Sequence, residues 1–212
     1  MTTDSDPRPR PQRRGRGRPR GGGGAQTRER ILAAAAELFA ETGYRATTMV
    51  AVAEAAGLSQ TGLLHHFPDK ERLLAEVLER RDRLDQVAVG EQPGRGWDRF
   101  DHLLRLVERN TTQPGIVRLF TALAGEAIDP DHPGHEWLLE HHRRAAEMIR
   151  GWLHEAIADG TATPGTPVER IVRGTIAVMD GLQVQWLTNP EDVDMVGDFA
   201  DHVATLRARW EC

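Results

Sequence analysis

The side chains in this sequence that are able to do chemistry are few, and most are histidines. His65 and His66 stand side by side in "GLSQTGLLHHFPDKERLL", residues 57–74, and His132, His135, His141 and His142 form a second histidine-rich stretch. A two-point metal site on a helix needs ligands three or four residues apart, because adjacent side chains diverge by about 100°. His65 with His66, and His141 with His142, fail that test. Only His135 with Asp131 or Glu136 is left as a pair for a cation, and no metal site is expected. Glu140 and His141 have the groups for acid–base work, but nothing sets them apart from a surface pair. A nucleophile elbow, a P-loop, a dinucleotide fingerprint, HExxH and paired CxxC are all missing, so no catalytic residue and no cofactor is expected. Cys212 is the sole cysteine, which excludes an intrachain disulfide and a cysteine-built zinc site.

The composition is 39% hydrophobic and 28% charged, as in ordinary globular proteins. Abundant Ala, Leu, Arg and Glu with few aromatics favour helix over sheet. No apolar run approaches the ~20 residues that span a bilayer. The basic start leads into four glycines rather than an apolar signal core. A cytoplasmic protein without a membrane partner is expected. The net charge of −5 hides an asymmetry. Residues 1–24 carry Arg8, Arg10, Arg13, Arg14, Arg16, Arg18 and Arg20 against Asp4 and Asp6, so the remainder is clearly acidic. A cationic arm on an acidic body suggests a polyanion partner for the arm. Its Pro, Gly and Arg content is expected to leave it disordered.

The elements that must position the histidines are helical. Thr27 is expected to cap a first helix with Ile31, Leu32, Ala35, Leu38 and Phe39 on one face, stopped by Gly43. Thr47 or Thr48 caps a short second helix that ends at Gly57. Ser59 caps a third reaching about Phe67, where Pro68 blocks continuation. Asp69 caps a fourth, with Leu73, Leu74, Val77 and Leu78 inward. After the linker at 89–96, helices are expected at about 97–110, 115–128, 134–159, 167–188 and 192–210, separated by Pro/Gly/Asn breaks. The fold class is all-α with about nine helices. Its parts are an arm over 1–24, a domain over 25–74 that holds the two short helices, and a helical domain over 75–212.

Two short helices joined by a three-residue turn at Gly57 describe a helix-turn-helix, whose second helix presents its N-terminal residues to the DNA major groove. Helical geometry turns Leu58, Leu63, His66 and Phe67 inward and Gln60, Thr61, Leu64 and His65 outward. The blocks "A-x-x-L-F-x-x-x-G-Y", "T-T-M-x-x-x-A-x-A-A-G-L-S" and "H-x-F-P-D-K-E-x-L-L", with their ungapped spacing, resemble the N-terminal domain of the TetR family of bacterial transcriptional regulators.

The resemblance implies a homodimer on a palindromic operator in double-stranded DNA, released when a small-molecule effector enters the C-terminal domain. It places Thr48 at a phosphate, Ser59 at the cap of the reading helix, Gln60, Thr61 and Gly62 at bases, and His65 and Lys70 at the backbone. Where the family often has Tyr, this chain has Leu64, which is expected to pack on a thymine methyl instead. "RGRGRPR", residues 14–20, resembles an AT-hook, with Arg16 and Arg18 for a narrow minor groove. The bland reading is non-specific phosphate attraction.

In the C-terminal domain Phe120, Trp137, Met148, Trp152 and Met179 are candidate cavity residues, and Arg118, Glu126 and Gln183 are candidate polar contacts to an effector. Met179, Leu182, Trp186, Val196, Phe199, Val203 and Leu206 are candidates for a dimer interface between the last two helices and their symmetry mates. Two rivals stay open at this point: an architectural DNA-binding protein dominated by the arm, and a small helical enzyme.

Overall fold

The computed structural model describes residues 23–90 and 94–212. Nine α-helices are present among them: α1 Gly23–Thr42, α2 Met49–Ala55, α3 Gln60–His66, α4 Lys70–Val89, α5 Phe100–Thr111, α6 Pro114–Glu126, α7 His135–Ala158, α8 Val168–Thr188 and α9 Met195–Trp210. A 3-10 turn, Gly96–Arg99, leads into α5. The described residues contain no strand, only an isolated bridge between Ala162 and Glu211 that fastens the C-terminus to the α7–α8 loop. The architecture is all-α, as the stop signals in the sequence require. No described helix is long and apolar enough to cross a membrane.

Three helix starts differ from expectation, the first being α5, which begins at Phe100 rather than 97 because Gly96–Arg99 forms the 3-10 turn. α1 already includes Gly23, so Thr27 lies inside the helix and caps nothing. Glycine weakens a helix without blocking it as proline does, and no proline precedes Thr27 in that turn. α9 begins at Met195 rather than 192, because Asp194 is its cap and accepts the Gly197 N–H at 3.0 Å. Asn189 and Asp192 are spent on the turn before it, joined side chain to side chain at 2.8 Å.

The apolar residues gather into two cores. The first joins α1–α4, through Ile31, Phe39, Val52, Leu63, Phe67 and Leu74, to Leu119, Phe120 and Leu123 of α6 and Trp137 at the start of α7. The second joins Trp97 and Phe100 to α5, α7, α8 and α9, including Trp152, Leu153, Ile171, Phe199 and Val203. Residue 74, the expected domain boundary, falls inside α4, which runs on unbroken. α4 therefore belongs to both halves.

Trp97, only 1% exposed, is held where the 3-10 turn presses on α7. Its carbonyl accepts an Arg207 Nη2 hydrogen bond at 2.6 Å. Gly96 makes the approach possible: it sits at φ +57°, and a Cβ there would stand 2.9 Å from Ala156 Cβ and 3.1 Å from Ala156 Cα. Gly96→Ala adds both a left-handed penalty and a backbone clash, expected to cost about 2 kcal/mol. In a chain of this size that is a fall of roughly 4–8 °C in Tm. A thermal melt followed by circular dichroism checks it, and a shift below about 1 °C would mean that the turn is not pressed on α7.

Candidate functional site

The α2–α3 unit is built from local signals. Thr48 caps α2, its hydroxyl accepting the Ala51 N–H at 3.1 Å, and Ser59 caps α3, accepting the Gly62 N–H at 3.1 Å. Each satisfies a donor that the first helical turn leaves unpaired. Between them the chain reverses at Gly57, φ +67°. There Leu58 N–H donates to Ala53 O at 2.8 Å and Gly57 N–H to Glu54 O at 3.0 Å. That pairing is a Schellman motif, which favours glycine because only glycine enters the left-handed region without penalty. Leu63 and Phe67 are fully buried. Ser59, Gln60, Thr61, Leu64 and His65 are exposed along the opposite face, and His66 is half-buried. The α3 side chains expected to meet DNA thus form one outward row, with Leu64 41% exposed. Gly62 lies within it, and a Cβ there would come to 3.3 Å from the Ser59 cap oxygen.

Two cations hold this unit in place from inside the chain. Arg28 of α1 donates to the His66 carbonyl at 3.1 Å, lies 4.3 Å over the Phe67 ring, and pairs with Glu76 of α4. A cation on the last carbonyls of a short helix also offsets its dipole. Lys70, expected at a phosphate, turns its ammonium back on the α1–α2 turn. It donates to the carbonyls of Tyr44, Arg45 and Thr47 at 2.9, 3.2 and 3.0 Å, and lies 4.4 Å from the centre of the Tyr44 ring. An ammonium has three donors, so all of them are used. Asp69 caps α4 through the Arg72 N–H at 2.6 Å. Tyr44 contacts Phe39 and, across the two halves of the molecule, His132.

A cavity of about 300 Å³ opens between α4, α5, α6, α7 and α8. Leu103, Leu106, Met148, Ile149, Ile176 and Met179 form its apolar wall. Its other end is polar. Arg81 and Asp85 continue the buried stripe of α4, one turn and two turns after Val77. Arg109 donates to Asp85 at 2.9 Å and Arg144 to Asp82 at 2.9 Å, while His141 Nδ1 lies 3.4 Å from Asp82. Arg81 lies 3.4 Å from Asp85 and 4.5 Å from the centre of the Phe120 ring. Burial lowers the Arg81 pKa, opposed by Asp85, Asp82 and Asp180. Burial by itself would raise the Asp82 pKa, but His141, Arg81 and Arg144 bring it below the usual value. Burial, aided by Arg105, lowers that of His102.

Of the expected effector contacts, Phe120, Met148, Met179 and Gln183 line this cavity. The others lie elsewhere. Trp152 is buried against Phe100 in the second core, at 5.9 Å between ring centroids. Trp137 stacks on His141 at 4.9 Å and lines a separate pocket with Glu79, Glu136 and Glu140. Arg118 is on the exposed side of α6. Glu126 faces the DNA-binding half, 3.5 Å from both Arg45 and His132. Lining residues that the sequence does not single out are Arg81, Asp82, Asp85, Asn110 and Asp180; the i+4 continuation 77, 81, 85 is the legible signal for α4. Of the expected interface residues, Leu182, Trp186, Val196 and Leu206 are half-buried, whereas Phe199 and Val203 are 0% and 3% exposed. Those two are a correction: α9 packs on α5 and α8, and both residues belong to the chain's own core. Arg16 and Arg18 lie outside the described residues.

Residues 31–77 match the family profile of bacterial regulatory proteins of the tetR family, and residues 102–208 match the C-terminal domain of BetI-type transcriptional repressors. The chain is 30% identical over 167 residues to the HTH-type transcriptional repressor KstR2 of Mycolicibacterium smegmatis, covering 70% of this chain and 74% of that protein. It is 45% identical over 162 residues to KstR2 of Mycobacterium tuberculosis, covering 69% and 74%. Among solved structures, a TetR transcriptional regulator from Chloroflexus aurantiacus superposes with a TM-score of 0.77 at 25% identity, covering 89% of this chain and 98% of that one.

Tyr44 is the only tyrosine in the chain, so its ionisation reads the joint beneath α2 directly. Burial, reinforced by Glu71 and Asp69, raises its pKa from 10.0 to about 12. The folded protein holds this proton more tightly than the unfolded chain. The stability it contributes is therefore fully present below the unfolded value near 10 and is lost as pH rises towards 12. Phenolate absorbance is expected to titrate with a midpoint near 12 in the folded protein and near 10 in denaturant. Coincident midpoints would show that Tyr44 is not held in this joint.

Proposed function

The chain belongs to the tetR family of bacterial regulatory proteins and is a DNA-binding transcriptional regulator; on that premise we propose that it is a repressor that grips a palindromic operator as a homodimer and is released when a small molecule fills the cavity. The relatives named as repressors support the sign of regulation. The observation that carries the ligand-responsive part is the double burial of α4. Its first half, Leu73, Leu74, Val77 and Leu78, is at most 2% exposed within the DNA-binding core. Its second half puts Arg81, Asp82 and Asp85 in the cavity wall. A ligand that displaces the second half moves the first with it, because a hydrogen-bonded helix transmits displacement along its axis.

Release follows from geometry in a dimer. Two reading helices on one duplex must sit about one DNA turn apart, roughly 34 Å, so a small change in the tilt of α4 spoils their register. The dimer face proposed is the outer side of α8 and α9, with Leu182, Trp186, Val196 and Leu206 and the 49%-exposed Val184. At the operator Gln60 and Thr61 are proposed to read base edges, Leu64 to pack on a thymine methyl, and Ser59, Thr48 and His65 to approach the backbone. Gln suits adenine, because its amide pairs with N6 and N7 together. Arg16 and Arg18 of the arm are proposed to follow the adjacent minor groove.

Selection of binding sites from random DNA tests the operator. The full chain is expected to recover a palindrome. Gln60→Ala and Thr61→Ala are each expected to weaken it about tenfold and to relax preference at one base position per half-site. Arg16→Ala with Arg18→Ala is expected to remove an A·T-rich flank and leave the palindrome intact. Recovery of no palindrome would sink operator reading and favour an architectural role. Met179→Trp tests the cavity, since the added ring occupies ligand space. Operator affinity is expected to fall about tenfold with α3 untouched and helix content retained; an unchanged affinity would uncouple the cavity from DNA.

A further inference from the structure

The polar end of the cavity contains buried groups that no protein contact satisfies. Arg81 is 10% exposed at its side chain, yet its Nε and Nη1 have no hydrogen-bond partner within the protein, Asp85 standing off at 3.4 Å. Gln183, 3% exposed, has no donor for its Oε1. Both residues line the cavity. A buried polar atom left unpaired forfeits a hydrogen bond that water supplied in the unfolded chain, so it favours a ligand that replaces it. Arg81 has donors to give, and Gln183 has an acceptor to fill.

The charges around them decide whether that ligand is ionic. At this end Arg81 and Arg109 share Asp85 and Arg144 pairs with Asp82, while Asp180 adds a third carboxylate, so three arginines face three aspartates. Asp180 also lies 3.4 Å from His142. A carboxylate placed on Arg81 would enter as a further anion among three aspartates. An ammonium placed on Gln183 would face Arg81. Either would lose its hydration without gaining an unmatched counter-charge. A neutral group carries no such cost.

We propose that the effector is a neutral, mostly apolar molecule carrying a carbonyl and a hydroxyl at one end, with the carbonyl accepting from Arg81 and the hydroxyl donating to Gln183. The inference rests on the ligand-responsive reading above. Leu103, Leu106, Ile176 and the adaptable side chains of Met148 and Met179 take the apolar body. The 300 Å³ available is the space of roughly ten water molecules, so the body is on the order of ten carbons.

Calorimetric titration of the full-length protein with four ten-carbon probes tests this: 1-hydroxydecan-2-one, decan-2-one, decanoate and decylammonium. The hydroxyketone is expected to bind at least tenfold more tightly than either ion. Gln183→Leu is expected to weaken the hydroxyketone five- to tenfold, down to the level of decan-2-one, whose own affinity stays unchanged. The wild-type ranking needs no variant and stands whether or not Gln183→Leu folds well. Tightest binding by decanoate or decylammonium would overturn the head-group assignment while leaving the ligand-responsive reading in place. Equal weakening of all probes by Gln183→Leu, or binding by none of them, would also overturn it. Met179→Trp judges the coupling of cavity to DNA independently of any probe.

Discussion

The constraint on which the rest of the molecule depends is that α4 is buried twice, by different means. Leu73, Leu74, Val77 and Leu78 on its inward face are packed into the core with α1, whereas Arg81, Asp82 and Asp85 further along put charged groups into a cavity. Apolar packing tolerates no slack, because interiors are close-packed and respond to displacement as a solid. Ion pairs in a half-open cavity permit rearrangement at lower cost. One end of the helix is therefore fixed to the helix-turn-helix unit, and the other rests on ion pairs that border the cavity. The contact of α1 with α6, through Leu119 and Phe120, joins the same two regions by a second route.

The reading unit itself is too small to hold its own shape. α2 and α3 have seven residues each, well short of the length at which an isolated helix persists in water. Their stability comes from caps at both ends and from side chains reaching in from longer helices. Arg28 holds the end of α3 and Lys70 holds the turn before α2, through backbone carbonyls and the inward rings of Phe67 and Tyr44 rather than through the outward side chains of α3. Anchoring through the backbone leaves the outward side chains Gln60, Thr61 and His65 free of structural duties. The surface proposed to meet DNA is thereby separated from the contacts that position it.

The cavity follows a different logic. Five helices contribute to it, and its polar end is a chain of ion pairs, Arg109 to Asp85 and Arg144 to Asp82, that links α5 and α7 to α4. Such pairs are costly to desolvate and are worth most where each partner is also hydrogen-bonded. Arg81 is the exception, charged and deeply placed but without a hydrogen bond from its Nε or Nη1. Its position beside the Phe120 ring recovers part of the lost hydration through a cation–π contact.

The sequence by itself determined the helices, their order and the face of α3 that points outward. Those features rest on local physics: glycine and proline stops, Thr48, Ser59 and Asp69 as caps, and apolar residues repeating at helical spacing. It also disclosed the family, whose motifs are confined to one short segment. The tertiary structure alone decided which side chains share a site. Lys70 reads as a free surface cation until α4 is folded onto the α1–α2 turn, where three carbonyls lie within its reach. Trp137 and Trp152 read as cavity candidates, and Phe199 and Val203 as interface, because an apolar residue at helical spacing says only that one face is buried. Which neighbour buries it is fixed by the packing of helices far apart in the chain. For the same reason Arg81 and Asp85, polar residues on an otherwise apolar stripe, acquire meaning only when α5, α7 and α8 close around them.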